Sequence, residues 1–468
     1  METKSKQRGW YCSDAKLAKS IMNSNSRLVP NLRTKTYLTQ LKGSFIFKGL
    51  AIILSFFLVP LMLEYLGAEK YGIWSTLLSM IFWILIFDFG IGNGLRNKLS
   101  ESIVKNDWLA VREYISTAYF AVACIAIFLC SIFYIISSYI SWNYVFNTNV
   151  VSNSELRLVV NISFLFVSIN FFFSIINQVL NSSHKTDLVV FNQFLSNGLS
   201  LLFVFFLKMN TSGDMKLLAL IYGISLFLSN LCVSVFFYGT NRNYMPSIFS
   251  ISKHKLPIII SLGGHFFIIQ LAVLILFTTD RILITHLIGP EYVTPYDIVF
   301  KLFSVVTIVH SVIVAPLWNS YSDAFYRKDL RWIKKMMGKQ IIIFGCLFFL
   351  ALILLLSSPY IIFLWVGAVD NLNFTLILVV FLYSMVLCWN NIFALFINAT
   401  GYLRLSLIIN IALVFLNIPL SVFMVKYFID GPESIVLATI LCLLIGAFLG
   451  PIQCLKIINK TGDGIWVR

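Results

Sequence analysis

Six ionisable residues lie in or beside two apolar stretches between residues 261 and 301, where charge is unusual. They are His265, Asp280, Arg281, His286, Asp297 and Lys301. A charged side chain at the centre of a bilayer costs about 2.5–3.5 kcal/mol on insertion scales, so such residues usually face a bundle interior or a wet cavity. This stretch therefore predicts a polar pathway within a membrane-embedded protein.

The composition requires a fold that spans a membrane. Hydrophobic residues make up 59% of the chain, charged residues 12%, and the mean hydropathy is +0.87, whereas soluble domains are about 25% charged. Windows long enough to cross about 30 Å of hydrocarbon recur along the chain. They lie near 44–66, 72–93, 116–140, 157–181, 188–207, 216–238, 257–287, 295–317, 339–364, 372–398, 404–427 and 434–457. We predict an all-α integral membrane protein with about twelve transmembrane helices.

The placement of lysine and arginine predicts the orientation in the membrane. Cytoplasmic loops carry the positive excess, and a cytoplasmic N-terminus puts most of the 35 basic residues, including the run from Arg327 to Lys339, on the inner side. We therefore predict that both termini are cytoplasmic. The net charge of +15 is then a topology feature rather than a nucleic-acid patch.

The two halves of the sequence are similar. YLGAEKYGIW (65–74) and LIGPEYVTPY (287–296) place Glu69 and Glu291 222 residues apart, and NQVLNSSHKTDLVVFNQFL (177–195) is similar to NNIFALFINATGYLRLSLIIN (390–410) at an offset of about 217. Transporters are commonly built from such repeats, with the substrate site between them. We predict two six-helix lobes.

This repeat divides the chain into five parts. The parts are a basic cytoplasmic tail (1–43), an N-terminal lobe (44–240), a cytoplasmic linker (241–256), a C-terminal lobe (257–458) and a cytoplasmic tail (459–468). The basic residues of the first tail favour a topology signal, with contact to lipid headgroups as the alternative.

Polar side chains form stripes on predicted helices of both halves, at steps that place them on one helical face. The main stripe residues are Asn170, Ser174, Asn177, Asn181, Asn391, Asn398, Asn410 and Asn417. One interpretation is hydrogen bonding between helices, worth about 0.6 kcal/mol per contact. Stripes in both halves favour a hydrated lumen, because lipid penalises each unsatisfied amide by several kcal/mol.

Three basic residues are candidates for binding an anion. The guanidinium fork of Arg281 suits a phosphate, although an arginine at a helix end also extends to the headgroups. Lys48 either lines a cavity or extends to the cytoplasmic headgroups. Lys301 lies four residues after Asp297 on one helix, so pairing between these two is an alternative to ligand binding.

Further ionisable residues are candidates for coupling transport to an ion. His265 and Asp280 share a helical face, and Asp88 lies in FDFGIGNGLRNKLSE, where pairing with Arg96 or Lys98 is the alternative. For His310, hydrogen bonding in the core is the favoured interpretation.

Motifs of enzyme chemistry are missing from the sequence. It contains no GxxxxGK[ST] phosphate loop, no GxSxG and no His/Cys cluster with metal-ligand spacing. We predict that the chain is not an enzyme, with no catalytic residue, no metal and no cofactor.

Three motifs together carry a resemblance to a known family. FKGLAIILSFFLVPLMLEYLGAEKYGIW, FDFGIGNGLRNKLSE and TTDRILITHLIGPEYVTPYDIVFKL resemble, in order and spacing, the Wzx-type flippases that move O-antigen and related repeat units. These belong to the multidrug/oligosaccharidyl-lipid/polysaccharide exporter (MOP) superfamily. The resemblance covers the chain from about Thr36. It implies a two-lobed, twelve-helix fold in the bacterial inner membrane.

The resemblance also implies a substrate and partners. The substrate is an undecaprenyl-pyrophosphate-linked oligosaccharide carried from the cytoplasmic to the periplasmic leaflet for surface polysaccharide synthesis. Lys48, Arg281 and Lys301 stand nearest the basic residues that hold the pyrophosphate in related proteins, although lysine replaces a frequent arginine on helix one. The asparagine and serine stripes would face the glycan. The implied partners are this lipid-linked glycan, the bilayer and the polymerase and chain-length regulator of polysaccharide assembly.

Three other functions are compared with this prediction. A multidrug or cation exporter of the same superfamily is expected to have an acidic cavity, whereas this one reads as basic. A polymerase or ligase is expected to carry a long periplasmic loop, and the predicted outer connections are short. A receptor or structural membrane protein does not need polar stripes in both halves.

Overall fold

The computed structural model describes residues 46–85, 91–183, 185–260, 278–314, 317–402, 404–428 and 430–467. Within these ranges the chain forms helices, turns and loops, without a strand. The first nine helices are α1 (Ile46–Leu66), α2 (Ala68–Leu85), α3 (Ile91–Val104), α4 (Trp108–Ser137), α5 (Trp142–Phe146), α6 (Asn153–Phe173), α7 (Ile175–Ser182), α8 (Thr186–Asn210) and α9 (Met215–Thr240). A short helical segment covers residues 255–260, before the first of the later helices. These are α10 (278–287), α11 (Val293–Val314), α12 (Leu317–Tyr326), α13 (Leu330–Val366), α14 (Phe374–Thr400), α15 (Arg404–Tyr427) and α16 (Pro432–Ile458).

Ten helical segments of the described chain are long and apolar enough to cross a membrane. They are α1, α4, α6 with α7, α8, α9, α11, α13, α14, α15 and α16. The chain is therefore a multi-pass membrane protein, as the composition predicts. The two remaining predicted spans, 72–93 and 257–287, extend into residues outside the described ranges, so a total of twelve stays a prediction.

Two long helices begin earlier than the apolar windows predict. Helix α4 starts at Trp108 because the Asp107 carboxylate accepts a hydrogen bond from the Ala110 amide at 3.0 Å. Helix α13 starts at Leu330 because Asp329 caps the Trp332 amide at 3.1 Å. A carboxylate at this position satisfies a free helix-end amide and favours the helix dipole, so both helices extend into polar sequence.

The predicted single helix over 157–181 is interrupted at Ser174, which separates α6 from α7. The Ser174 hydroxyl donates to the Phe171 carbonyl at 2.9 Å, and the Asn170 side chain donates to the Phe166 carbonyl at 2.8 Å. Side chains that bond to nearby carbonyls compete with the helical ladder and bend it.

The helices pack in two similar groups, which we call the N-terminal half (α1–α9) and the C-terminal half (α10–α16). Helix α6 contacts α4 and α9, and α14 correspondingly contacts α13 and α16. A glycine permits close approach in each group: Gly223 packs on Phe166, and a Cβ at Gly450 would lie 3.3 Å from the Phe393 Cβ. The predicted residue limits of the two lobes stay a prediction.

Candidate functional site

The two halves meet where α1 ends and where α2 and α11 begin. We call this contact surface the seam; it comprises the first halves of α2 and α11, the second half of α1 and helix α10. At its centre, the Ser75 hydroxyl donates to Asp297 Oδ2. These residues are 222 apart in sequence, the same offset that relates Glu69 to Glu291. This shared offset agrees with the predicted repeat, in which a substrate site would lie between the two halves.

The helix backbones approach each other closely at the seam. A Cβ added at Gly72 would lie 1.7 Å from the Pro290 carbonyl oxygen, which is far inside van der Waals contact. Next to it, the Thr294 hydroxyl donates to the Ala68 carbonyl at 2.6 Å. Only glycine at residue 72 admits this packing, so the sequence specifies a closed seam.

An ion pair within the C-terminal half lies at the seam. Arg281 Nε donates to Asp297 Oδ1 at 2.6 Å, and the Asp297 side chain is 7% exposed. The guanidinium carbon of Arg281 lies 5.6 Å from the ring centroids of both Tyr296 and Phe300, within cation–π range. Asp297 thus joins Arg281 of its own half to Ser75 of the other half.

Lys301 ties α1 to the C-terminal half. Its Nζ donates to the Ser55 hydroxyl at 2.8 Å and lies 5.3 Å from the ring centroid of Phe56. Trp365 reinforces this tie by donating from its indole to the Phe56 carbonyl at 3.1 Å. The alternative that Lys301 pairs with Asp297 is wrong in this structure, because Arg281 takes the carboxylate.

Lys48 lies two turns before Ser55 on the same face of α1, about 10 Å along the axis. Its side chain is exposed, whereas the neighbouring face of α1 packs on α8. This packing includes a 2.9 Å bond from Asn197 to the Ala51 carbonyl and the contact of Phe47 with Phe191. Lys48 therefore lies on the face of α1 that carries Ser55, about two turns from the bond between Lys301 and Ser55.

Asp280 is buried at 2% exposure and is held within the C-terminal half. Its carboxylate accepts from the Tyr296 hydroxyl at 3.4 Å and from the Thr439 hydroxyl at 3.2 Å. The Asn417 side chain in turn donates to Thr439 Oγ1 at 3.0 Å. Two carboxylates, Asp280 and Asp297, therefore lie near two cations, Arg281 and Lys301. The net charge of this region is closer to zero than that of the basic cavity expected from the sequence.

A cavity of about 430 Å³ lies inside the N-terminal half, between α2, α6, α7, α8 and α9. Its polar wall is a network of amides. Asn192 Nδ2 donates to Asn177 Oδ1 at 3.0 Å and to Asn230 Oδ1 at 2.8 Å, and Asn230 donates to Asn170 at 3.3 Å. Ser229 donates to Asn192 and completes the network. None of the residues that line this cavity is ionisable except Tyr222.

A second cavity of about 430 Å³ lies at the corresponding place in the C-terminal half, between α11, α14, α15 and α16. Asn391, Asn398 and Asn410 line it, together with His310. The histidine is 1% exposed, and its Nε2 has no hydrogen-bond partner among the described residues. The favoured interpretation of His310, hydrogen bonding in the core, is not seen at this nitrogen.

The structure brings together most, but not all, of the residues singled out from the sequence. Arg281 and Lys301 lie at the seam, and six stripe residues line the two cavities. Asn417 belongs instead to the Asp280 chain, and Asn181 lies outside the cavity lining. Asp88 and His265 fall outside the described residues.

Three partners at these sites were missed by sequence reasoning: Ser75, Asn230 and Thr439. Ser75 could have been found by applying the 222-residue offset to Asp297, because that offset already relates Glu69 to Glu291. Asn230 lies 53 residues after Asn177, on α9. Its signal in the sequence is the pair Asn230 and Ser234, whose step of four places these buried residues close to one face of the helix.

Comparison with known proteins agrees with this architecture. A family model described as polysaccharide biosynthesis protein matches residues 44–318, which is more than half of the chain. The chain belongs to this family. The membership confirms the resemblance carried by the sequence motifs. It also supports the prediction that the chain is a multi-pass protein of the bacterial inner membrane.

Relatives of similar length support the membership. A putative O-antigen transporter of Salmonella typhimurium is 25% identical over 302 residues, covering 63% of this chain and 68% of the relative. A putative O-antigen export protein of Yersinia pseudotuberculosis is 22% identical over 389 residues, covering 80% of this chain and 85% of the relative.

Solved structures of MATE multidrug transporters of the MOP superfamily share the fold. The inward-facing conformation of one such transporter matches with a TM-score of 0.72 at 14% identity, covering 91% of this chain and 99% of that chain. An outward-facing conformation matches with a TM-score of 0.60 at 14% identity, covering 90% and 96%. The chain therefore has a MATE-like helical fold.

Proposed function

We propose that this protein carries an undecaprenyl-pyrophosphate-linked oligosaccharide from the cytoplasmic to the periplasmic leaflet by alternating access. The observation that carries the proposal is the place of Arg281 and Lys301, at the surface where two repeated halves meet. The O-antigen transport named for the relatives supports a glycan as cargo. Transporters built from repeats bind their substrate between the halves and expose it by rocking one half against the other.

The proposed topology has twelve spans in two lobes, 44–240 and 257–458, joined by a cytoplasmic linker at 241–256 and flanked by cytoplasmic tails. In this orientation the seam faces the periplasm, because α1 crosses outward before α2 begins. Contacts across the seam then close the periplasmic side. The substrate would enter from the cytoplasm, where Lys48 lies along α1.

In the proposed binding mode, Lys48, Arg281 and Lys301 neutralise the pyrophosphate. Arg281 supplies a planar fork that matches phosphate oxygens, and the lysines act as point charges. Sugar hydroxyls would bond the polar side chains of the two cavities: Asn170, Ser174, Asn177, Asn391, Asn398 and Asn410. The polyprenyl chain would remain in lipid between the halves.

Asp280 is the described candidate for ion coupling, because it is a buried carboxylate on the helix turn that also carries Arg281. Asp88 and His265 stay sequence-based candidates for the same role. Partners in polysaccharide polymerisation and chain-length control also remain proposals.

A multidrug exporter is the second candidate, since MATE transporters share the fold. Its expected acidic cavity is not supported: the described seam balances Asp280 and Asp297 with Arg281 and Lys301, and the N-terminal cavity is lined by neutral amides. A polymerase is disfavoured by the short connections at the seam end, such as residues 211–214 and 288–292.

The test is deletion of the gene in its host, followed by assay of surface polysaccharide and of the leaflet position of the lipid-linked precursor. We expect single units to accumulate on the cytoplasmic leaflet, with loss of surface polymer. Unpolymerised units in the periplasm would contradict this proposal and favour a polymerase. Normal polysaccharide with altered drug sensitivity would favour the exporter.

A further inference from the structure

Asp297 is held by partners from opposite halves of the molecule. Its Oδ1 accepts from Arg281 Nε at 2.6 Å, and its Oδ2 accepts from Ser75 across the seam. We propose that a polyprenyl diphosphate takes Arg281 away from Asp297, and that the uncovered carboxylate opens the seam. This inference rests on the proposed function, because it requires a diphosphate ligand at Arg281.

The ion pair is suited to exchange. Arg281 reaches Asp297 through its Nε alone, so the two terminal nitrogens of the guanidinium make no bond to this carboxylate. A diphosphate carries more charge than one carboxylate and accepts parallel N–H bonds from the fork. The rings of Tyr296 and Phe300 contact the guanidinium and keep it at this place while its anion changes.

Loss of Arg281 leaves Asp297 as a buried charge without a cation, which is strongly unfavourable. Separation of the halves relieves it, because it admits water to the carboxylate and breaks the contact with Ser75. Lys301 leaves Ser55 of α1 when it joins the diphosphate, which breaks a second contact between the halves. Diphosphate binding is therefore linked to opening of the seam.

The inference is tested on the full chain in lipid nanodiscs with farnesyl diphosphate as the ligand and farnesol as the uncharged control. The eight native cysteines are replaced by serine, and transport by this background is verified first. Spin labels are attached through Asn147→Cys and Asp370→Cys, which are exposed on the seam end of opposite halves. Pulsed electron–electron double resonance reports the distance between the two spin labels, and isothermal titration calorimetry reports the affinity for farnesyl diphosphate.

In the wild-type background, farnesyl diphosphate is expected to lengthen the distance, and farnesol is not. Asp297→Asn removes the competing charge but keeps an amide that can bond Ser75. This variant is expected to bind the diphosphate about tenfold more tightly, because a charge-assisted hydrogen bond no longer has to be broken. Its distance should stay short, since no charge is uncovered.

Ser75→Ala is the complementary variant, because it removes the bond across the seam and keeps the ion pair. It is expected to have a longer distance before ligand is added and to bind farnesyl diphosphate more tightly than the wild-type protein, because seam opening and diphosphate binding favour each other. Equal affinity of the wild-type and Asp297→Asn proteins, or equal lengthening in both, would overturn the exchange alone. Absence of diphosphate binding to either protein would overturn the exchange and the proposed function together.

Discussion

The seam and the N-terminal cavity are both polar and buried in the membrane-embedded bundle, but they are built from different chemistry. The seam uses charges, and its bonds join the two halves, as in the Arg281, Asp297 and Ser75 chain. The cavity uses neutral amides, and its bonds stay within one half, as between Asn192 and Asn230. An anionic ligand can replace the carboxylate in an ion pair. Hydrogen bonds between neutral amides contain no ion that a ligand could replace.

In the proposed rocking mechanism, this difference separates the surface that moves from the parts that stay rigid. In a rocking transporter, contacts between the halves must break in each cycle, and contacts within each half must persist. Charge is concentrated where breakage is required. Variants of the seam should therefore change transport more than folding, and variants of the cavity network should lower stability with a smaller effect on diphosphate binding.

Gly72→Ala is expected to have the largest effect, because its Cβ would overlap the Pro290 carbonyl at 1.7 Å. Overpacking costs about 1–3 kcal/mol, so the closed seam should become about tenfold or more less populated and transport should fall accordingly. Complementation of surface polysaccharide in the deletion strain measures this. Gly345→Ala on α13 is the control, since no atom lies within 4 Å of its Cβ. Full complementation by Gly72→Ala would show that seam closure is not needed.

Arg281→Gln should weaken diphosphate binding by about 10–100-fold, because a charged hydrogen bond is worth about 1.5–3 kcal/mol. Arg281→Lys retains the charge without the planar fork, so its loss should be smaller. Titration of the purified protein with farnesyl diphosphate measures both. The exposed Arg157 on α6 provides a matched control as Arg157→Gln. Equal losses in the Gln and Lys variants would mean that the fork, rather than the charge, determines binding.

Asn192→Leu tests the cavity side of the comparison. It breaks the bonds to Asn177 and Asn230 and should lower the free energy of unfolding by about 1–3 kcal/mol, with a smaller effect on diphosphate affinity. Thermal unfolding in detergent measures the stability. Asn161→Leu on α6 should cause less destabilisation, because the Asn161 amide oxygen is buried without a partner among the described residues. A greater loss of stability in Asn161→Leu would refute the structural role of the network.

Thr294→Val should have the smallest effect, since it removes one bond across the seam, to the Ala68 carbonyl. A net hydrogen bond contributes about 0.5–1.5 kcal/mol, so the closed seam should be destabilised by that amount and the distance between seam labels should shift modestly. Thr307→Val on the same helix is the control, because its hydroxyl bonds within α11 to Ser304. Identical distance distributions in the two variants would show that the bond from Thr294 to Ala68 does not stabilise the closed seam.

Much of the fold follows from local sequence. Apolar windows predicted the ten described spans, because length and hydropathy alone define a helix in lipid. Helix ends were less accurate: the caps at Asp107 and Asp329 extend helices beyond the apolar windows. The interruption at Ser174 was missed because side-chain bonds to the backbone, rather than a proline or glycine, produce it.

The candidate site was predictable in its residue types but not in its pairing. Buried charge at Arg281 and Lys301 is visible in the sequence, since few other cations occur in apolar stretches. The partners of these residues depend on which helices meet: the four-residue spacing offers Lys301 as an alternative partner of Asp297, whereas the structure pairs Asp297 with Arg281. Asn417 shows the same dependence on packing. Its stripe predicted that it faces a lumen, whereas the packing of α15 on α16 brings it to Thr439.

The most direct test of the flippase proposal is translocation in proteoliposomes that contain only this protein. A fluorescent undecaprenyl-diphosphate glycan is placed in both leaflets, and a membrane-impermeant quencher reports how fast the inner pool reaches the outer leaflet. We predict translocation faster than in empty vesicles, slowed by Arg281→Gln and almost abolished by Gly72→Ala. Translocation no faster than in empty vesicles, with correctly folded protein present, would contradict the account.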